Sequence, residues 1–502
     1  MSPQGSRFFV IFSKLNHISL VPKLVKQTFI YGLATVLPRM MSFLLLPLYT
    51  DILATSGFGA VTVIFSWFAI ANVILAYGME TAFFRFYQQA TDRIKVRSTS
   101  LIGILITTVI FVVIALAFRS SLASIIQVNT KIIELAIGIL ALDALVIIPF
   151  AQMRADEKAT KYALIKILNV AINLGLNLVF LVLFPWVNSI NPSLLMGLYR
   201  PDFVIEYIFI SNLIASGITL LLVIRTYRSV VWKLDFVLWR KMLGYGLPVM
   251  IAGIAFTVNE VFDKILLSRL LPADIANSEA GKYAACYKLA LFMTLFATAF
   301  RLGIEPFFFS HLKSKNPQQA YAHILYYFVL FGSVILLSVV VFLDYLKQIT
   351  ILNPDYWEAM PIVPIVLLAS FCLGIYHTLS VWYKVSDKTH IGAYISISGA
   401  LITLGINIAL IPTYGYYASA FATLAAYSSM MLISFFMGRK YYYIPYDLKR
   451  IGGYFLSSIT LAALVFYGFS NDLKIGLPIL SLFVVLLYIF ERKTLKKHFI
   501  KA

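Results

Sequence analysis

Eight charged residues of this chain, Arg39, Glu80, Arg85, Asp263, Lys264, Lys288, Arg301 and Glu305, stand inside or at the edges of long apolar runs. A charge at the centre of a membrane helix costs roughly 2.5–3.5 kcal/mol on insertion scales, so the set marks a polar cavity, an ion path or paired charges that hold helices together. The planar guanidinium fork makes bidentate contacts with phosphate oxygens. A cavity rich in Arg and Lys would therefore attract a phosphate or diphosphate. Glu260, Asp263 and Lys264, with Asn259 adjoining, could form an outer gate of salt bridges or a cation or proton site, the plainer alternative being helix-to-helix pairing with Lys288. Asp143 and Glu134 are lonelier acids in another apolar run, and burial of Asp143 would favour its protonated form.

The elements that carry these groups are membrane helices. The 502 residues have a mean hydropathy of +0.87 with 13% charged residues, outside the range of a soluble protein. The net charge of +19 collects in short gaps between apolar runs, where it reports topology, and not in a stripe on a soluble domain as nucleic-acid binding would require. Cys286 and Cys372 lie in apolar stretches without metal or disulfide spacing and read as core. The apolar run Phe8–Phe12 is too short for a cleaved signal peptide, so the first true span serves as the insertion signal.

About fourteen spans follow, at roughly 28-50, 58-87, 98-118, 130-153, 161-186, 204-225, 241-269, 281-309, 322-345, 359-383, 390-411, 415-438, 450-470 and 473-490. With both termini cytoplasmic, inner segments hold 28 of the 41 Lys and Arg residues and outer loops hold seven, an asymmetry that an odd number of spans would scramble. The longest basic connector, 225–241, carries Arg225, Arg228, Lys233, Arg240 and Lys241. Trp232 and Trp239 suit it to the headgroup level, as an interfacial linker and not a soluble domain.

The linker separates two similar halves. Glu157-Lys158-Ala159-Thr160 precedes Leu174-Gly175-Leu176-Asn177-Leu178, and Asp387-Lys388-Thr389 precedes Leu404-Gly405-Ile406-Asn407-Ile408. Each Lys lies 19 residues before its Asn, and each motif follows an even-numbered span, which predicts parallel six-helix repeats of the kind found in transporters. The expected organisation is a cytoplasmic segment (1-27), a six-helix lobe (28-225), the linker (226-240), a second six-helix lobe (241-438), two further helices (439-490) and a basic tail (491-502).

This topology puts Arg39 near mid-membrane, Glu80, Arg85, Arg301 and Glu305 in inner parts of spans, and Asp263, Lys264 and Lys288 in outer parts. Glu80 with Arg85, and Arg301 with Glu305, suggest ion pairs at near-helical spacing. Alternatively, Arg85 snorkels at the helix end beside Phe84, Phe86 and Tyr87. Arg39 has no acid within a turn or two, and the adjoining Pro38 suggests a bent helix whose freed carbonyls could line a cavity. Asn173 and Asn177 could be interhelical glue or a ligand site.

Pro38–Thr50 (PRMMSFLLLPLYT), Gly78–Tyr87 (GMETAFFRFY), Gly281–Leu289 (GKYAACYKL), Phe300–Phe309 (FRLGIEPFFF), and Gly392-Ala393 onward to Asn407, Ile411-Pro412 and Gly415 carry a family likeness. Over nearly its whole length the chain resembles the bacterial polysaccharide and O-antigen (Wzx-type) flippases of the multidrug/oligosaccharidyl-lipid/polysaccharide exporter superfamily. The resemblance implies an all-α polytopic protein of about 14 transmembrane helices, with two six-helix lobes in a V plus two C-terminal helices. It further implies translocation of an undecaprenyl-diphosphate-linked oligosaccharide to the outer leaflet of the bacterial inner membrane. Partners would be membrane lipids and polysaccharide polymerase or ligase machinery, with no nucleic acid. Arg39, Arg85 and Arg301 would be the cavity arginines, Glu80 and Glu305 their orienting acids, and Lys264 and Lys288 would serve the outward state. No cofactor is expected. Proton or sodium coupling, with Asp143, Glu260 and Asp263 as candidate carboxylates, would give direction.

The absence of a Walker motif argues against ATP hydrolysis. A cation-coupled multidrug antiporter on the same scaffold would favour an acidic, aromatic cavity. A membrane polymerase or ligase would need a large outer loop with catalytic residues, and the longest one here, 187–203, offers only Asn188, Asn191, Arg200 and Asp202.

Overall fold

The computed structural model describes Val36, Met40 and residues 43–499 except 196, 198, 229, 311–315 and 387, with backbone alone for 302–310 and 493–499. Among the described residues thirteen helices are long and apolar enough to cross a membrane, from Thr55–Gln89 to Leu473–Arg492. They match the second to fourteenth expected spans. The expected first span lies mostly outside the described residues, and its described end includes the helix Leu46–Ile52. The protein is thus an all-α, multi-pass membrane protein.

Span boundaries follow from capping chemistry in the polar gaps. Asp92 accepts from Lys95 N at 3.0 Å, Asn129 from Lys131 N at 3.1 Å, and Asp447 from Arg450 N at 3.2 Å, each satisfying a donor that the first helical turn leaves open. The repeat motif is visible in the same detail. Lys158 N bonds Met153 O and Lys388 N bonds Tyr383 O, both at 2.8 Å, so each motif closes one helix and opens the next with the same bond. Asn177 and Asn407 are both fully buried, and each donates its amide to a carbonyl one turn back, at 2.8 and 2.7 Å.

The chain divides into two compact units, cut differently from the expected lobes. The first takes in Leu75–Val249, so the linker and the start of the seventh span (Phe236–Leu270) belong with the end of span two and spans three to six. The second takes in Ser42–Ile74 and everything from Met250 onward. Backbone contact explains the division. In the second unit, a Cβ on Gly59 would lie 1.8 Å from Asn277 O and one on Gly281 1.9 Å from Thr55 O, so these helices touch main chain to main chain. Thr55 and Ser278 hydroxyls add a hydrogen bond of 2.7 Å there.

Within the first unit, Val146, Phe150, Met153, Ile165 and Val223 form a buried apolar cluster. A larger aromatic cluster in the second unit includes Tyr321, Tyr376, Trp382, Tyr427 and Met430. The two C-terminal helices pack on the ninth span (Pro317–Val341), where Ser333 Oγ donates to Tyr454 O at 3.2 Å and Gly476 lies against Val341. Cys286 and Cys372 are free thiols buried in the second unit.

Candidate functional site

The second span breaks in the first unit at Tyr77 and Gly78, whose φ values of 33° and 71° are left-handed. A Cβ on Gly78 would sit 2.0 Å from Gly246 O, so only glycine permits both the turn and the crossing. The helix restarts at Met79–Gln89 with Glu80 in its first turn, where the helix dipole favours an anion. Its carboxylate accepts from Arg154 Nη2, across to the end of the fourth span (Thr130–Ala155).

That pairing replaces the expected one between Glu80 and Arg85. Five positions along an α-helix is a rotation of about 140°, so Arg85 points away from Glu80. Its guanidinium is exposed and lies over the Tyr245 ring, 4.4 Å from the centroid. It makes no ion pair among the described residues. A cation held on an aromatic face retains its in-plane N–H donors for an anion.

A polar seam crosses the same unit. Ser216 Oγ donates to Asp143 Oδ1 at 2.8 Å, and Asn169 Nδ2 donates to Thr219 Oγ1 at 2.9 Å, tying the fourth and fifth spans to the sixth (Pro201–Arg228). Lys166 Nζ rests over the Phe150 ring at 4.4 Å. Asp143 and Lys166 act on each other electrostatically without forming a contact ion pair. Asn177 donates to Asn173 Oδ1 at 2.7 Å, an intrahelical bond. Glu134 pairs at the surface with Arg119 at 2.7 Å.

The second unit holds the outer charge group. Asp263 and Lys264 are only 2% and 8% exposed. Lys264 Nζ binds Asp263 Oδ1 at 2.8 Å and Glu260 O at 3.2 Å, and lies 4.2 Å from the Tyr287 ring centroid. Tyr283 Oη donates to the other Asp263 oxygen at 2.6 Å. The long lysine stem folds back on its own helix, so Asp263 pairs with its neighbour Lys264 and not with Lys288, the plainer alternative. Lys288 lies 5.4 Å from the Phe58 ring centroid. Below them, Asn259 donates to Ser396 O at 3.1 Å and accepts from Thr403 at 2.8 Å. Arg301 is half-buried and makes no ion pair among the described residues. The Glu305 side chain and Arg39 lie outside the described residues.

Arg154, Lys166 and Tyr245 are the members that sequence reasoning missed. Arg154 stands at the edge of its span and reads as a loop cation. Lys166 had a usable signal, a lysine more than a turn inside the expected span 161–186. Tyr245 gives none, because its role depends on where Arg85 arrives.

A family model described as "Polysaccharide biosynthesis protein" matches residues 24–300, more than half of the chain. No curated protein matches in sequence. Solved structures share the fold. A lipid II flippase MurJ in an inward closed conformation is 14% identical with a TM-score of 0.73, covering 93% of this chain and 99% of that one. An inward-facing multidrug resistance MATE family transporter of the MOP superfamily is 14% identical with a TM-score of 0.61, covering 84% and 95%. A MOP superfamily transporter from Pyrococcus furiosus, described by the reverse polarity of its binding pocket, is 15% identical with a TM-score of 0.56, covering 86% and 96%.

Proposed function

Because the chain belongs to the polysaccharide biosynthesis protein family, we propose that it is a flippase that moves an undecaprenyl-diphosphate-linked oligosaccharide from the inner to the outer leaflet of the bacterial inner membrane, with both termini cytoplasmic. The observation that carries this reading is Arg85, a membrane-span guanidinium resting on Tyr245 with no carboxylate partner among the described residues. A diphosphate supplies the compensating charge, and the fork binds its oxygens in pairs. Arg301 and Arg39 are the further arginines proposed for the diphosphate. Lys264 and Lys288 are proposed for the outward state, although Lys264 must leave Asp263 to reach a substrate.

Affinity for the diphosphate does not by itself set direction, because a ligand shifts an equilibrium only by its differential affinity for the two states. Direction comes from proton or sodium coupling or from consumption of the product outside. Asp143, Glu260 and Asp263 are the carboxylates proposed for coupling, with Glu80 and Glu305 as supporting groups. No cofactor enters this scheme.

The test is Arg85→Ala at matched membrane abundance in reconstituted vesicles. Loss of translocation, with partial retention in Arg85→Lys, is expected, and undiminished flipping by Arg85→Ala overturns the assignment. A second reading, a cation-coupled multidrug antiporter, draws on Asp143, whose carboxylate has a hydroxyl partner and no cation in contact among the described residues. Gradient-driven export of a cationic dye by the same vesicles, without lipid flipping, favours that reading.

A further inference from the structure

We infer that the connector Arg225–Lys241 is a preformed binding surface for the headgroups of anionic lipids. This holds whatever substrate the protein moves. The connector carries five cations, Arg225, Arg228, Lys233, Arg240 and Lys241, all exposed and none in an ion pair among the described residues. Its one carboxylate, Asp235, is already paired with Lys95 of the third span (Arg93–Ala117). Five positive charges are therefore left without counter-charge from the described residues.

Apolar side chains are interleaved with these cations. Val231, Trp232, Phe236 and Val237 are 57%, 66%, 63% and 66% exposed. Four large apolar groups facing outward from so short a segment are costly in water, whereas an acidic protein partner or a nucleic acid would satisfy the charges alone. At a membrane surface, the apolar groups enter the acyl boundary while the long basic side chains reach the phosphates.

The surface is held in place before any lipid arrives. Val231 N donates to Ser98 Oγ at 3.1 Å and Asp235 N to Thr99 Oγ1 at 3.4 Å, which fixes the connector backbone to the third span. Asp235 also caps the next helix, accepting from Leu238 N at 2.8 Å. Trp239 packs so closely on Gly103 that a Cβ there would lie 2.5 Å from its indole nitrogen. A rigid display of this kind binds without a further ordering cost.

The test reconstitutes the full chain in phosphatidylcholine vesicles containing a minor fraction of phosphatidylglycerol, with one lipid or the other brominated near the glycerol end of its acyl chains. The Trp232 emission is isolated by subtracting that of Trp232→Phe. At equal mole fraction, brominated phosphatidylglycerol should quench Trp232 at least about twofold more than brominated phosphatidylcholine. Replacing all five cations with glutamine should remove that preference and leave quenching by both lipids. Equal quenching by the two lipids in the unmodified protein overturns the inference, as does no quenching by either, so the result does not depend on the variant folding.

Discussion

Glu80 closes on Arg154, 74 positions later in the chain, and Arg85 on the same short helix is left to stack on Tyr245. One carboxylate that was expected to neutralise a cavity arginine instead joins two helices of the first unit. The division separates a structural charge from an available one.

Stability and transport should therefore respond to different residues. Glu80 and Arg154 side chains are 45% and 37% exposed, so solvent screens the pair and its loss should cost about 0.5–1 kcal/mol. Thermal unfolding should show Glu80→Gln and Arg154→Gln lowered alike and the double variant no lower than the worse single. Arg85→Gln should unfold at the original temperature. An equal loss in Arg85→Gln would mean that Arg85 is structural.

Gly78 fixes the break in the second span. Gly78→Ala has to hold a left-handed backbone, worth about 1–2 kcal/mol, and place a methyl 2.0 Å from a main-chain oxygen that cannot rotate away. Gly175→Ala is the control, since nothing lies within 4 Å of its added Cβ and its helix gains about 0.5–1 kcal/mol from alanine. The two substitutions should move the unfolding temperature in opposite directions. A shared direction would show that the crossing is not tight.

Asp143 and Lys166 compensate each other across the polar seam without touching. Asp143→Asn or Lys166→Met leaves one membrane-buried charge uncompensated, and each should reduce folded abundance. The double variant should recover most of that loss, a coupling read directly from a double-mutant cycle. Strictly additive losses would show that the two charges do not sense each other.

Lys95 holds the Asp235 carboxyl below its ordinary value by a direct hydrogen bond, and Leu238 N adds to the effect. The carboxylate is lower in the folded chain, so its contribution is complete above the unfolded value of about 3.9 and is lost as pH falls through the folded value below that. Trp239 emission should stay constant down to about pH 4 and change only in more acidic buffer. Asp235→Asn should show the released emission at every pH. A transition near neutrality would assign the docking to another group.

The membrane helices were legible because a long apolar run ended by Asp, Asn, Lys or Gly has one stable form in a bilayer, and thirteen such runs became helices. The repeat was legible from Lys158 and Lys388 because the turn they make is local. Partner choice was less so. Whether Glu80 meets Arg85 or Arg154, and whether Asp263 meets Lys288 or Lys264, depends on helix rotation and packing that spacing alone does not determine. The unit boundaries were hidden for a related reason, since the glycine contacts at Gly59 and Gly78 bind elements distant in sequence, and nothing in the spacing tells which backbone each glycine meets.

The central claim, lipid-linked oligosaccharide transport, is tested most directly by reconstituting the protein in vesicles loaded with undecaprenyl-diphosphate oligosaccharide. The fraction of sugar open to an impermeant lectin is then followed over time. Protein-dependent exposure that disappears in Arg85→Ala is the expected result. Exposure no faster than in protein-free vesicles, from a protein that still exports a cationic dye, would contradict it.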